Sequence, residues 1–98
     1  MRFKGLDLNL LVALDVLLDE RSVSIAAKRL HLTQPAMSAA LGRIREYFND
    51  PILALHGKRM VPTPHAIKIH SELKDLLSSL DVLISKTTSF DPATSTRK

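Results

Sequence analysis

A mostly α fold is predicted for this chain: three short helices, a small β-hairpin and one long closing helix. Three observations predict it. Apolar residues recur at helical spacing in four separate stretches. Each stretch follows an Asp, Ser or Thr able to cap a helix, and two follow the cap with proline, as in Thr33-Gln34-Pro35 and Thr63-Pro64. Only residues 52–62, ILALHGKRMVP, read as two short extended runs about a glycine.

Asp7 caps the first helix, whose apolar positions are Leu10, Leu11, Leu14, Leu17 and Leu18. Asp19-Glu20-Arg21-Ser22 ends it. Ser22 or Ser24 caps a second helix that runs through Leu30, and its Ala26 and Ala27 permit close helix packing. His31-Leu32-Thr33 forms a tight break. Thr33 caps the third helix, and Pro35 lies in its first turn, where a missing N–H does no harm. Met37, Leu41, Ile44 and Phe48 make one buried stripe along it, and Asn49-Asp50-Pro51 stops it.

The hairpin turns at His56-Gly57-Lys58. The long helix then shows Ala66, Ile69, Leu73, Leu76, Leu80 and Leu83 at spacings alternating between three and four, widened by Leu77 and Ile84. Such a stripe packs on the first helix of its own chain or on a second copy. The helix exceeds what the short helices can cover, which favours a dimer. Residues 87–98, TTSFDPATSTRK, read as a linker.

Composition narrows the function. The 98 residues carry a net charge of +4. From Arg21 to Arg59, seven basic residues (Arg21, Lys28, Arg29, Arg43, Arg45, Lys58 and Arg59) face only Glu46 and Asp50, a local excess of 7 − 2 = +5. A basic central segment suits a polyanion, although a solvated basic face has the same composition. With no cysteine, disulfides, thiolate metal sites and a cysteine nucleophile are excluded, which fits the cytoplasm. The N-terminus is interrupted by Asp7, Asn9 and Asp15 and lacks the apolar run of a signal peptide, and no stretch is long enough to span a membrane. His31, His56, His65 and His70 show no metal-ligand spacing, the three glycines are scattered, and no catalytic set can be assembled.

Residues 22–46 carry the function. Two short helices with a three-residue break form a helix-turn-helix, which presents the start of its second helix to base edges in the DNA major groove. The residues so presented are Thr33, Gln34, Pro35, Ala36, Met37 and Ser38. Gln pairs with adenine bidentately, Ser and Thr bond bases or phosphates, and Pro or Ala touches a thymine methyl. Gln34 and Ser38 are four apart and share a face, whereas Met37 and Leu41 point to the core. Arg43 and Arg45, farther along, suit phosphates. His56, Lys58 and Arg59 make the hairpin a basic wing suited to the minor groove or its phosphates. The whole reads as a winged helix-turn-helix followed by a dimerisation helix.

The run Ser22…Ala26-Ala27…Leu30…Thr33-Gln34-Pro35-Ala36-Met37-Ser38…Leu41…Ile44 resembles the N-terminal domain of LysR-type transcriptional regulators. Asp50-Pro51-Ile52-Leu53 and Val61-Pro62-Thr63-Pro64 resemble that family's wing and the start of its linker helix. The opening MRFKGLDLNLLVALD and PAMSAALGRIREYF look most like the rhizobial nodulation regulators (NodD type). The resemblance implies a DNA-binding domain over 1–62, a linker and dimerisation helix over 63–87 and a tail over 88–98 leading to an absent effector domain. It implies promoter DNA and a homodimer as partners, a tetramer in the full-length protein, and no membrane. No cofactor is expected in this fragment; a small-molecule inducer, for nodulation regulators a plant flavonoid, would bind the absent domain.

The expected DNA contacts are Ser24, Thr33, Gln34, Pro35, Met37, Ser38, Arg43, His56, Lys58 and Arg59. The expected dimer contacts are Ala66, Ile69, Leu73, Leu76, Leu80 and Leu83. Two positions depart from the family. Ala39 stands where many members have arginine, and Leu55 stands where the wing arginine is usual. A regulator of aromatic-compound metabolism in the same family, or a helical protein-interaction module, are the alternatives.

Overall fold

The computed structural model describes residues 2–3 and 6–88, with the side chains of 6–86. A two-residue strand β1 (Arg2–Phe3) pairs antiparallel with β2 (Leu6–Asp7), a pairing the sequence patterns did not signal. Helix α1 (Leu8–Glu20) begins where the Asp7 carboxylate accepts the Leu10 N–H at 2.9 Å. It ends at Arg21, whose φ of 54° is left-handed and whose N–H reaches the Leu17 carbonyl at 2.7 Å. Between the two candidate caps, Ser22 is the one that starts α2 (Val23–Arg29), accepting from the Ile25 N–H at 3.2 Å.

Helix α3 (Gln34–Phe48) begins at Thr33, whose hydroxyl oxygen accepts the Ala36 N–H at 3.2 Å. Strands β3 (Leu53–His56) and β4 (Arg59–Pro62) pair antiparallel from Leu53↔Pro62 to His56↔Arg59. That register leaves a two-residue turn of Gly57 and Lys58, with Gly57 at φ 64°, where a side chain would be strained. Helix α4 (Pro64–Thr88) spans 25 residues, about 37 Å.

One apolar core joins these elements. Leu10, Ala13, Leu14, Val16, Leu17 and Leu18 of α1 meet Ala26 and Ala27 of α2, Met37, Leu41 and Ile44 of α3, and Ile52 and Leu53 at the wing base. Fully burying one such aliphatic side chain stabilises the fold by about 1.5–3 kcal/mol. The Ala26-Ala27 pair lets α2 lie close to its neighbours, as its small side chains predict.

The stripe on α4 divides. Ala66 and Leu73 are buried in the chain's own core, with Ile69 and Leu77 packed against it. Farther along, Leu76 is 58% exposed and Leu83 57%. The expectation of one continuous dimer seam is therefore corrected for Ala66 and Leu73. Helix α4 packs there against α1, whose apolar face needs a cover, and against β4. Polar contacts lock the same stretch. Lys74 Nζ lies 3.1 Å from Asp15 and 2.8 Å from Asp19, and His70 Nε2 lies 3.0 Å from Asp19. Residues 89–98, most of the expected tail, lie outside the described residues.

Candidate nucleic-acid interface

The break between α2 and α3 sets the aim of α3. Leu30 and Leu32 donate their N–H groups to the Ala26 and Ala27 carbonyls at 3.1 and 2.8 Å, and His31 takes a left-handed φ of 57°. The chain thus turns from α2 into α3 within a few residues while the alanine pair stays buried. Met37, Leu41 and Ile44 then fix the rotation of α3 about its axis, because all three must face the core. The opposite side carries Gln34, Pro35, Ala36, Ser38 and Ala39, all exposed.

Met37 is a correction among the expected DNA contacts. It is 0% exposed, so its side chain touches only the core. Thr33 faces solvent, but its hydroxyl oxygen already accepts the Ala36 N–H; its O–H remains free to donate.

The structure brings the two expected reading elements together. Ser24 at the start of α2, Gln34 at the start of α3, and Lys58 and Arg59 at the wing tip line one groove, together with Arg21 and with Glu20, whose carboxylate is paired with Arg29. Arg21 was missing from the expected contacts. It ends α1, and its place beside the wing depends on a fold that brings residues 21 and 58 together, which no local pattern reports. Arg43 lies apart from that groove, on the flank of α3 facing Asp7 and Asn9 of the α1 start.

Charge is redistributed relative to the linear count. Arg29 pairs with Glu20 at 2.9 Å and with Asp19 at 3.4 Å. Its guanidinium is held above its ordinary pKa, first by the hydrogen bond to Glu20. Arg45, expected on a phosphate, instead donates to the Pro51 and Leu53 carbonyls at 2.8 and 3.0 Å. Among the described residues, Arg21, Lys28, Arg43, Lys58 and Arg59 form no ion pair, and all five are exposed. Within the basic stretch from Arg21 to Arg59, these are the cations available to a polyanion.

The wing is anchored at its base and free at its tip. Ile52 and Leu53 are buried and Met60 is half-buried, whereas His56, Lys58 and Arg59 are exposed. Leu55 is 69% exposed, at the position where the family resemblance leads one to expect an arginine.

One group of metal-ligating types occurs among the described residues. Asp15, Asp19 and His70 place their ligand atoms within 4.8 Å of one another. The Lys74 ammonium already sits on both carboxylates, so the chain's own cation fills the site. Burial pushes the Asp19 carboxyl up, but Lys74, Arg29 and His70 bring it below its usual range on balance. The cluster joins α1 to α4 and lies apart from the reading groove. Among the described residues, no helix is long and apolar enough to cross a membrane.

Comparison with known proteins agrees with this fold. Residues 8–67 match the sequence profile of bacterial regulatory helix-turn-helix proteins of the lysR family. The chain is 49% identical over 98 residues to nodulation protein D 1 of Bradyrhizobium sp. (strain NC92), covering 100% of this chain and 31% of that protein. It is 50% identical over 97 residues to nodulation protein D 1 of Rhizobium leguminosarum bv. phaseoli, covering 99% and 31%. It therefore spans under a third of the length of these curated relatives. Among solved structures, a probable transcriptional regulator from Pseudomonas aeruginosa superposes with a TM-score of 0.78 at 36% identity, over 83% of this chain and 27% of that one. The BenM DNA-binding domain, solved in complex with benA site 1 DNA, gives a TM-score of 0.78 at 24% identity, over 87% and 96%.

Proposed function

The chain belongs to the LysR family of bacterial regulatory helix-turn-helix proteins, and from that premise we propose that it binds promoter DNA as a dimer, with α3 in the major groove, as the DNA-binding part of a nodulation-gene activator. The family is regulatory, which is not an enzyme class. The observation that carries the reading is the shared groove. Ser24, Gln34, Lys58 and Arg59 come from three separate elements and converge on one exposed surface. Gln34, Pro35 and Ser38 read base edges; Ser24, Thr33, Arg43 and the wing residues His56, Lys58 and Arg59 hold the sugar–phosphate backbone. The nodulation assignment rests on the names of relatives near 50% identity, and a flavonoid inducer would act on a domain beyond this chain.

Dimerisation is assigned to the outer half of α4. The exposure of Leu76 and Leu83 supports this, and Leu80, half-buried, borders the same face. An apolar strip of this kind on a helix needs a cover, and a second α4 has the matching shape.

Selection of preferred duplexes from a random library tests the proposal. It should recover two related half-sites at fixed spacing. Leu76→Asp, which removes no core contact, should yield monomers in sedimentation and lose the two-half-site requirement. Recovery of no sequence preference, with binding insensitive to salt, would instead favour a protein-interaction module.

A further inference from the structure

The chain leaves α3 at Asn49, turns through residues 50–52 and enters the wing at Leu53. Two side chains bracket that turn. From the helix, Arg45 donates from Nε to the Pro51 carbonyl at 2.8 Å and from Nη2 to the Leu53 carbonyl at 3.0 Å. From within the turn, Asp50 Oδ2 accepts the Ile52 N–H at 2.9 Å and the Thr63 hydroxyl at 2.6 Å. Thr63 closes the circuit. Its N–H reaches the Ile52 carbonyl at 3.0 Å, and its Oγ1 accepts the Ala66 N–H at 3.1 Å at the start of α4.

The backbone inside this bracket is unusual. Ile52 has a φ of 67°, in the left-handed region where a β-branched residue is rare, and its side chain is fully buried. Such a conformation persists only where its surroundings over-determine it. The carboxylate, the guanidinium and the buried side chain together do so. A turn held this way cannot pivot, so the direction in which the wing leaves α3 is set.

The geometry points to Arg45 and Asp50 as positioning residues for DNA binding, which fix where Lys58 and Arg59 stand relative to Gln34 and Ser38. This rests on the reading of α3 and the wing as the two DNA-contacting elements. Arg45 acts through its planar fork, which reaches two carbonyls at once. Lysine carries the same charge but cannot span both with that geometry. Asp50 acts by tying the wing base to the cap of α4, so that recognition helix, wing and linker helix meet at one residue.

A double-mutant cycle on the 98-residue chain tests this against its selected duplex. Arg45→Met and Arg45→Lys should each weaken binding about tenfold, the scale of one lost coupling between neighbouring groups. In a chain already carrying Lys58→Ala and Arg59→Ala, Arg45→Met should cost less than about twofold, because the wing has no cation left to misplace. Base preference at the Gln34 position should not change in any of these variants. Thermal unfolding and circular dichroism confirm that each variant is folded. If Arg45→Met is not, Arg45→Lys and the pair Thr63→Val against Thr63→Ser carry the test, with loss expected for Val and retention for Ser. Multiplicative losses in the wing-tip background would overturn the positioning role. So would full affinity in Arg45→Lys combined with a salt slope lowered by about 1 in Arg45→Met, the mark of a direct phosphate contact. A wild-type chain with no sequence preference would overturn both this inference and the function it rests on. Normal behaviour of wild type and Gln34→Ala, with insensitive Arg45 variants, would overturn the positioning role alone.

Discussion

The recognition helix and the wing stand side by side on one surface but are built by different forces. Helix α3 is rotated into place by an apolar stripe of Met37, Leu41 and Ile44, and its exposed face follows from what is buried. The wing has apolar anchors only at its base, Ile52 and Leu53, and its direction is set by hydrogen bonds donated by Arg45 and accepted by Asp50. Base reading needs side chains held to a fraction of an ångström, which a packed helix provides. Phosphate contact needs the two-residue turn held in place, while the long cationic side chains upon it can adjust. In the proposed DNA-binding mode, sequence reading therefore falls to α3 and general affinity to the wing.

The largest expected effect comes from attacking the stripe. Ile44→Ala should destabilise the domain by about 2–5 kcal/mol in denaturant unfolding, because it opens a cavity beneath α3. Both contact elements should then fail together. Asp50→Ala should cost less, by leaving the part-buried Ile52 N–H and Thr63 hydroxyl without their acceptor. Its signature is selective: exchange protection should fall at residues 52–62 before it falls in α3. Thr33→Ala removes the cap of α3 and should cost about 1 kcal/mol of stability. Gly57→Ala forces a side chain into φ 64° and should cost roughly 1 kcal/mol, confined to the wing.

Acid gives the smallest effect. The Thr63 hydroxyl bond, followed by the Ile52 N–H, holds the Asp50 carboxyl below its ordinary value of 3.8. A depressed carboxylate contributes stability that is fully present above the unfolded value and is lost as pH falls through the folded one. The wing should therefore loosen only below pH 3.8, and Asp50→Asn should flatten that acid limb in a thermal unfolding series.

Local chemistry made much of this readable in advance. Asp7, Ser22, Thr33 and Thr63 each precede an apolar helical pattern, and each either caps its helix or accepts the N–H three residues on. The stripe on α3 and the glycine turn of the wing were legible for the same reason, since each is decided within a few residues. Contacts across long stretches of chain were not. His70 and Lys74 meet Asp15 and Asp19 across more than 50 residues, and an isolated histidine gives no sign of such a partner. Arg45 carried the charge of a phosphate contact, but its fork was drawn to backbone carbonyls that a tight turn had left exposed. The heptad on α4 showed that the helix needed a cover without showing which one. Ala66 and Leu73 joined the chain's own core, Leu80 is half-buried, and Leu76 and Leu83 are exposed.

The division of labour between helix and wing is tested most directly by duplex selection with two variants beside the wild-type chain. Gln34→Ala should relax preference at one base pair in each half-site, a discrimination of about 1–3 kcal/mol. Lys58→Ala should keep the wild-type preference, bind all duplexes more weakly and lower the salt slope by about 1. Unchanged preference in Gln34→Ala, or an altered preference in Lys58→Ala, would contradict it.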